Sequence, residues 1–390
     1  MSEVMVMEYR TRDESRHHTR ELAVDGQVVS WLTVIDYRMR IGTAEVRMAG
    51  IAGVESRPEH RMKGHMRGLF ADTVAYMTGQ GYVVSALFGI PNFYHRFGYA
   101  TCLANTRAVL QTRDAELAQS DVPPHQLRPA TADDMPWIVD LYNRHNAARS
   151  GTLVRLNEHF KGFTKGTHWG QPAECMVLED HAGQRAGYAA WDRSRERVSV
   201  VEAECVDDRW HGALLHEFAG QAIAKRCGQV ALHLPQDHPF AEYAQRFGCE
   251  WSIEYPRQAE GMMRILDQAA LFDKLQPELQ RRYSRVAPLS EPRAAILATD
   301  LASTRIDIAG GQVSCRTVPP SPVVPPPSRA AALPTIRLTQ DRLMQLVMGY
   351  RSARDLLSER AYVYASGDAL PLLEALFPKS PAYLWLADQF

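Results

Sequence analysis

The sequence predicts a mixed α/β protein of the α+β kind, in which one unit occurs twice and a third α/β region follows. Three observations carry this prediction. The hydrophobic period changes from strand-like to helix-like and back between residues 20 and 99. The tripeptide Arg–Phe–Gly occurs at 96–98 and again at 246–248, each time after an R-x-x-G, Arg61/Gly64 and Arg209/Gly212, and the glycines are 34 and 36 residues apart. Order and spacing therefore repeat together, which argues for two copies of one domain. From residue 261 the pattern is different, and the proline-dense VPPSPVVPPPS (318–328) marks a surface loop or linker. The expected division is 1–122, 123–260 and 261–390.

Composition narrows the classes. At 390 residues, 45% of them apolar, the chain can bury several cores. A net charge of −1 gives no overall field that would draw it to nucleic acid or an anionic membrane. Six scattered cysteines form no CxxC pair, so no metal site is expected and a reduced cytoplasmic protein fits best. The opening MSEVMVMEYRTRDESRHH lacks the apolar core of a signal peptide, and no apolar run reaches the ~18 residues of a membrane span.

Taken in order, residues 20–57 are β-rich, with VVSWLTVIDYRMRIG and AEVRMAGIAGV separated by a turn at Gly42. Met62, Met66, Leu69, Phe70, Val74 and Met77 then follow helical spacing, and Gly79 and Gly81 end that helix. YVVSALFG (82–89) is a short buried strand, and a second short helix carries FYHRFGY. RPATADDMPWIVDLYNRH (128–145) reads as a strand and a capped helix. VSVVEAECV (198–206) precedes a helix over 214–224, and QVALHLP (229–235) is the next strand. In the last region GMMRILDQAALFDKL is a strand entering an amphipathic helix, and LTQDRLMQLVMGY and LPLLEALFP are short helices. The apolar, aromatic end LWLADQF is expected to be buried, because termini are usually polar and frayed.

The strand-to-helix loop VESRPEHRMKGHMRG (54–68) has the chemistry of a phosphate cradle. A helix start offers unpaired amides, Gly64 permits close approach, and Arg61, Lys63 and Arg67 add charge. Locally it reads equally well as a solvated basic helix start. Tyr94, 30 residues further on, reads either as a packed core tyrosine or as a proton donor.

The loop followed by Tyr94–His95–Arg96–Phe97–Gly98–Tyr99 resembles the GNAT acetyltransferases. V-x-x-x-P-E-H-R-x-x-G, YHRFGY, the second degenerate copy and the C-terminal region opening MMRILD together resemble the enhanced intracellular survival (Eis) family over nearly the whole chain. The resemblance implies two tandem GNAT-like domains with mixed sheets and a sterol-carrier-protein-like α/β domain. It implies an N-acetyltransferase using acetyl-CoA, with no metal, acting on an amine-bearing small molecule (aminoglycoside or polyamine) or a lysine. It also implies a homo-oligomer, with a hexamer as the family's state.

Carried onto this sequence, Tyr94 matches the acid and the terminal carboxylate of Phe390 the base. Val54, Glu55 and Ser56 match the residues that grip the pantetheine arm, and Met62, Lys63, Gly64, His65, Met66 and Arg67 the pyrophosphate loop. Gly89 and Ile90 match the strand end beside the thioester, and Trp31, Asp36 and Asp388 are candidate acceptor contacts. The chain departs from the family before residue 20, where a strand and two helices are usual, in Glu55 and Ser56 where small aliphatics are usual, and in Asp388–Gln389. Against the enzyme stands a non-enzymatic reading, a CoA-binding sensor or a lipid carrier. In the second copy, Ala244 falls opposite Tyr94 and the loop shrinks to Asp207–Asp208, which would repel pyrophosphate, so that copy is expected to be structural.

Overall fold

The computed structural model describes residues 6–121, 123–168, 170–193, 197–286, 293–319, 333–359, 364–366 and 369–390. The proline-dense 318–328 lies outside them from residue 320 on. The chain forms two compact units, one of Met1–Leu103, Pro256–Ser380 and Phe390, the other of Ala104–Tyr255 and Pro381–Gln389.

The first unit opens with four antiparallel strands, β1 (Met7–Glu14), β2 (His17–Val24), β3 (Gln27–Ile41) and β4 (Ala44–Ser56). Among the described residues before residue 20 the chain thus forms a hairpin edge and no helix. Every residue of β1 is exposed, so no alternation of apolar side chains announces it. Helix α1 (His65–Gly79) buries Leu69, Phe70, Thr73 and Met77 against the sheet. It starts at His65 because Gly64 takes a left-handed conformation, φ 83°. Met62, counted by period with the helix, lies before it in the loop at φ 62°, its side chain fully exposed. Strand β5 (Val84–Gly89) runs parallel to β4, and a 3-10 turn (Tyr94–Phe97) leads to the short β6 (Ala100–Thr101).

The second unit begins with β7 (Asn105–Gln111) and the single turn α2 (Thr112–Ala115). Then come β8 (His125–Pro129) and α3 (Met135–His145), entered through a capping box of Thr131 and Asp134. Next are β9 (Glu174–Asp180), β10 (Arg185–Arg193), β11 (Val198–Cys205), α4 (His211–Ala224) and β12 (Gln229–Leu232). The unit closes with α5 (Pro239–Ala244), a 3-10 turn (Gln245–Phe247) and β13 (Glu250–Glu254).

The remaining chain gives β14 (Glu260–Ile265), α6 (Gln268–Tyr283), β15 (Ala294–Ala298), β16 (Ser303–Ala309), β17 (Gln312–Val318) and β18 (Thr335–Arg337). After these come α7 (Gln340–Val347), α8 (Ala353–Ser358), β19 (Tyr364–Ser366) and α9 (Leu370–Leu376). β15 to β19 form a five-stranded sheet of their own, in the order β17-β16-β15-β18-β19.

The first sheet runs β1-β2-β3-β4-β5-β14-β6 and the second β8-β9-β10-β11-β12-β7-β13. In each, the fourth and fifth strands are parallel and every other neighbour pair is antiparallel, so the two sheets share one topology. The repeat read from Arg–Phe–Gly is therefore a repeat of architecture. The sixth strand of each sheet is exchanged: β14, which follows the second copy, completes the first sheet, and β7, which precedes it, completes the second. The two compact units meet along the chain at Leu103/Ala104 and Tyr255/Pro256, and the second also takes in Pro381–Gln389. Helix α7 secures the end of the first sheet. Gln340 accepts from the Ile265 amide (2.7 Å), and Gln345 donates to the Thr101 carbonyl (3.0 Å).

Candidate active site

Parallel pairing of β4 with β5 stops at Ile51↔Leu87, yet β4 continues to Ser56 and β5 to Gly89. Beyond that point the strands part, and each keeps backbone groups that its parallel neighbour does not satisfy. A bulge deepens the gap. Trp31 pairs with Glu55 and Thr33 with Ala52, so β4 carries one residue more than β3 there, with Gly53 at φ 57°. Val54 turns towards the core under α1, Glu55 is exposed, and the Ser56 hydroxyl lies 2.7 Å from that of Ser30.

The loop from Arg57 to Gly64 brings the chain from this gap to the start of α1. Arg61 Nε donates to the Ser56 carbonyl at 3.3 Å, folding the loop back on the strand end. The start of α1 has no side-chain cap. A Cβ at Gly64 would meet nothing within 4 Å, so the space in front of the helix is open. Arg61, Lys63 and Arg67 are exposed, and among the described residues none has an acidic partner within 4 Å. His65 is buried, and burial followed by the nearby His60 and Lys63 lowers its pKa, which keeps it neutral. Uncapped amides, a glycine with open space before it and exposed cations are the kinds of group that bind a diphosphate.

Two groups lie at the end of β5, on opposite faces of the sheet. Ile51 and Leu87 point into the core under α1, and Tyr94 packs on that side with its ring 5.7 Å from Phe70. Strand alternation turns Gly50 to the other face. There the Phe390 ring stacks on Tyr37 at 5.0 Å and meets Phe88 edge-on at 5.9 Å. A Cβ on Gly50 would come within 2.8 Å of both Phe390 and Tyr37, and one on Gly89 within 2.4 Å of the Tyr94 ring. Each glycine thus makes room for one of the two groups. Should Tyr94 and Phe390 take part in a reaction, Gly50→Ala and Gly89→Ala are expected to lower turnover by about 10- to 100-fold, because displacements of ~1 Å at reacting groups cost that much. Steady-state kinetics beside a melting curve checks this.

Tyr94 is 8% exposed, and burial raises its pKa above the ordinary tyrosine value, so the hydroxyl stays protonated at neutral pH. Tyr99 is a packing residue whose hydroxyl is 2.7 Å from Ser85 Oγ. Ile90 is exposed just past Gly89. The other three candidates are placed differently. Asp36 forms a bidentate pair with Arg47, down to 2.7 Å, and Arg47 also donates to the carbonyl of Gln80 at the far end of α1. It is therefore away from the strand gap and already neutralised. Trp31 is half-buried opposite Glu55, at the gap. Asp388 is 8% exposed, and both its oxygens are taken by Arg155 and Tyr142 rather than turned to an acceptor. Gly50, Tyr37 and Phe88 were missed by sequence reasoning. A glycine within an apolar strand was the available signal.

The second copy lacks the open cradle. Gly212 lies inside α4, and a Cβ on it would come 2.9 Å from the Tyr243 hydroxyl. A cleft of about 650 Å³ at this helix start has mixed charge, from Asp208, Glu242, Arg209 and Arg246. Beyond the last parallel pair Val200↔Leu232, residues of the C-terminal segment take the space, with Tyr383 donating to the His233 carbonyl at 2.8 Å.

Residues 5–102 match the family described as acetyltransferase (GNAT) domain. No curated protein matches the chain by sequence. Several solved structures match along almost its whole length. One is a GCN5-related N-acetyltransferase from Kribbella flavida, at 19% identity and TM-score 0.69, covering 95% of this chain and 87% of that one. Another is a conserved protein of unknown function, probable N-acyltransferase, from Enterococcus faecalis, at 17% identity and TM-score 0.72, covering 96% and 90%. A third is Eis1 from Mycobacterium abscessus, at 15% identity and TM-score 0.64, covering 97% and 91%. The chain thus shares the fold of these proteins, with its two GNAT-like sheets in tandem.

Proposed function

We propose that the protein is an N-acetyltransferase that moves an acetyl group from acetyl-CoA to a primary amine by direct transfer. The observation that carries this reading is the parted pair β4/β5, with the open basic start of α1 beside it and Tyr94 and Phe390 on the two faces at its end. Residues 62–67 hold the pyrophosphate, the backbone of Val54 to Ser56 holds the pantetheine arm, and Gly89 and Ile90 border the thioester. The third region is proposed to be sterol-carrier-like and the assembly a homo-oligomer, most simply a hexamer.

The chemistry needs three services. An ammonium has no lone pair, so its proton must leave; the Phe390 carboxylate accepts it, directly or through water. Negative charge gathers on the thioester oxygen, and a backbone amide freed where the strands part stabilises it. The leaving thiolate takes the proton of the Tyr94 hydroxyl, the second proton lost by the attacking nitrogen returns Tyr94 to its acid form through solvent, and the first leaves the carboxylate to solvent, so the reaction balances as ammonium plus thioester to amide, thiol and one proton.

Initial rates with acetyl-CoA and a panel of polyamines and aminoglycosides varied together should give intersecting lines; parallel lines would defeat direct transfer. Tight CoA binding without thiol release on any amine would favour a sensor. Lys63→Ala combined with Arg67→Ala should raise the KM for acetyl-CoA about tenfold, roughly 1.4 kcal/mol, with kcat nearly unchanged. The penalty should shrink as salt rises, since exposed charges are screened.

A further inference from the structure

We propose that Gln340 and Arg264 hold the turn that carries Tyr94, so that both are positioning residues for the transfer reaction. The inference rests on the reading of Tyr94 as the acid. Tyr94 opens a single 3-10 turn that ends at Gly98 in a left-handed conformation, φ 75°. Ring contacts hold its side chain, with Phe70 at 5.7 Å and Phe93 at 4.9 Å. Apolar attraction has no preferred direction, so the place of the hydroxyl depends on the backbone that carries the ring.

The last carbonyls of a helical turn have no partner within it. Two side chains from distant parts of the same compact unit supply the partners here. Arg264 of β14 donates through Nη1 to the Phe97 carbonyl at 2.5 Å. Gln340, the first residue of α7, donates through Nε2 to the Gly98 carbonyl at 2.5 Å. Gln340 is 3% exposed, and its other polar groups are engaged as well. Its Oε1 accepts from the Ile265 amide at 2.7 Å, and its own amide donates to Asp300 Oδ1 at 2.8 Å. A carbonyl on one side and an N–H on the other admit only one orientation of the side-chain amide. A Cβ on Gly98 would come within 2.5 Å of Gln340 Nε2, so glycine there serves both the positive φ and this close approach. The end of β14, the start of α7 and the far end of the Tyr94 turn thus meet in one hydrogen-bonded node, which acts on Tyr94 through the backbone between 94 and 98.

The test uses Gln340→Met and Arg264→Met, which keep much of the side-chain bulk and remove the donors. Arg264 is only half-buried, so that variant in particular should fold. Each should lower kcat about tenfold, with the KM for acetyl-CoA within twofold, since misplacement of ~1 Å can cost 100-fold. The same changes made in a Tyr94→Phe background should cost less than about twofold, because no hydroxyl is left to misplace. A purely structural role predicts an equal loss in both backgrounds. Wild-type kcat in the folded single variants, equal losses in the two backgrounds, or full activity of Tyr94→Phe alone would overturn the proposal. Should the wild type acetylate no amine, the transfer reading fails, and the fluorine resonance of a fluorotyrosine placed at position 94 decides whether the two side chains hold the turn. A shifted or broadened line in the folded variants upholds that hold, and an unchanged line overturns it.

Discussion

A single glycine added after Phe390 is expected to lower turnover about 100-fold while leaving acetyl-CoA binding intact. The extra residue moves the terminal carboxylate by roughly 3.5 Å, well beyond the ~1 Å that already costs a factor of this size. The Phe390 ring can stay against Tyr37 and Phe88, so the fold and the acetyl-CoA side of the sheet should not change. An α-carboxyl group ordinarily titrates near 3.3–3.7, far below an alkyl ammonium. In the proposed reaction its contribution as base is therefore one of position, and displacement should remove most of it. Calorimetric binding of acetyl-CoA beside kcat separates the two effects. Full turnover in a folded, glycine-extended chain would leave the carboxylate a structural role.

Tyr94→Phe is expected to reduce kcat by 100-fold or more, within the 10²–10⁴ range of positioned acids and bases. The ring keeps its contacts with Phe70 and Phe93, so stability should change little. The pH profile follows from the sign of the shift. An acid acts in its protonated form, and its contribution is lost as pH rises through its pKa. Burial places that pKa above the usual tyrosine value, so the wild type should show almost no loss from this group between pH 7 and 9. Over the same range the rate should rise as more of the acceptor amine is neutral. Tyr94→Phe should lie below the wild type throughout, with the same rising limb.

Much of this site was legible in the sequence because its parts are local. The basic loop, Gly64, and the turn carrying Tyr94 each announce themselves within a few residues, and the repeated Arg–Phe–Gly gave the two copies. The buried aromatic end of the chain was also readable, from the contrast between Tyr383–Trp385 and an ordinary terminus. What escaped was long-range. Strand β14 pairs with β5, and β7 with β12 and β13, across distances that a pattern of alternating side chains cannot choose between. Strand β1 escaped because both its faces are exposed. Met62 fitted a helical period by composition alone, while its left-handed backbone puts it in the loop. Asp388 looked available because its partner Arg155 is 233 residues away in irregular chain. Asp36 pairs with Arg47, 11 residues on in the neighbouring strand β4, which nothing in its own strand announces.

In the proposed reaction acetyl passes directly from the thioester to an amine at the parted strands of the first sheet. Incubation with acetyl-CoA labelled in the acetyl carbonyl and the amine panel, followed by mass spectrometry of both protein and acceptors, tests it most directly. Direct transfer gives label on the nitrogen of at least one acceptor, one thiol released for each amide formed, and no label retained on the protein. Acetyl-CoA bound tightly with every acceptor left unlabelled, or label held on the protein and then passed to the amine, would contradict it.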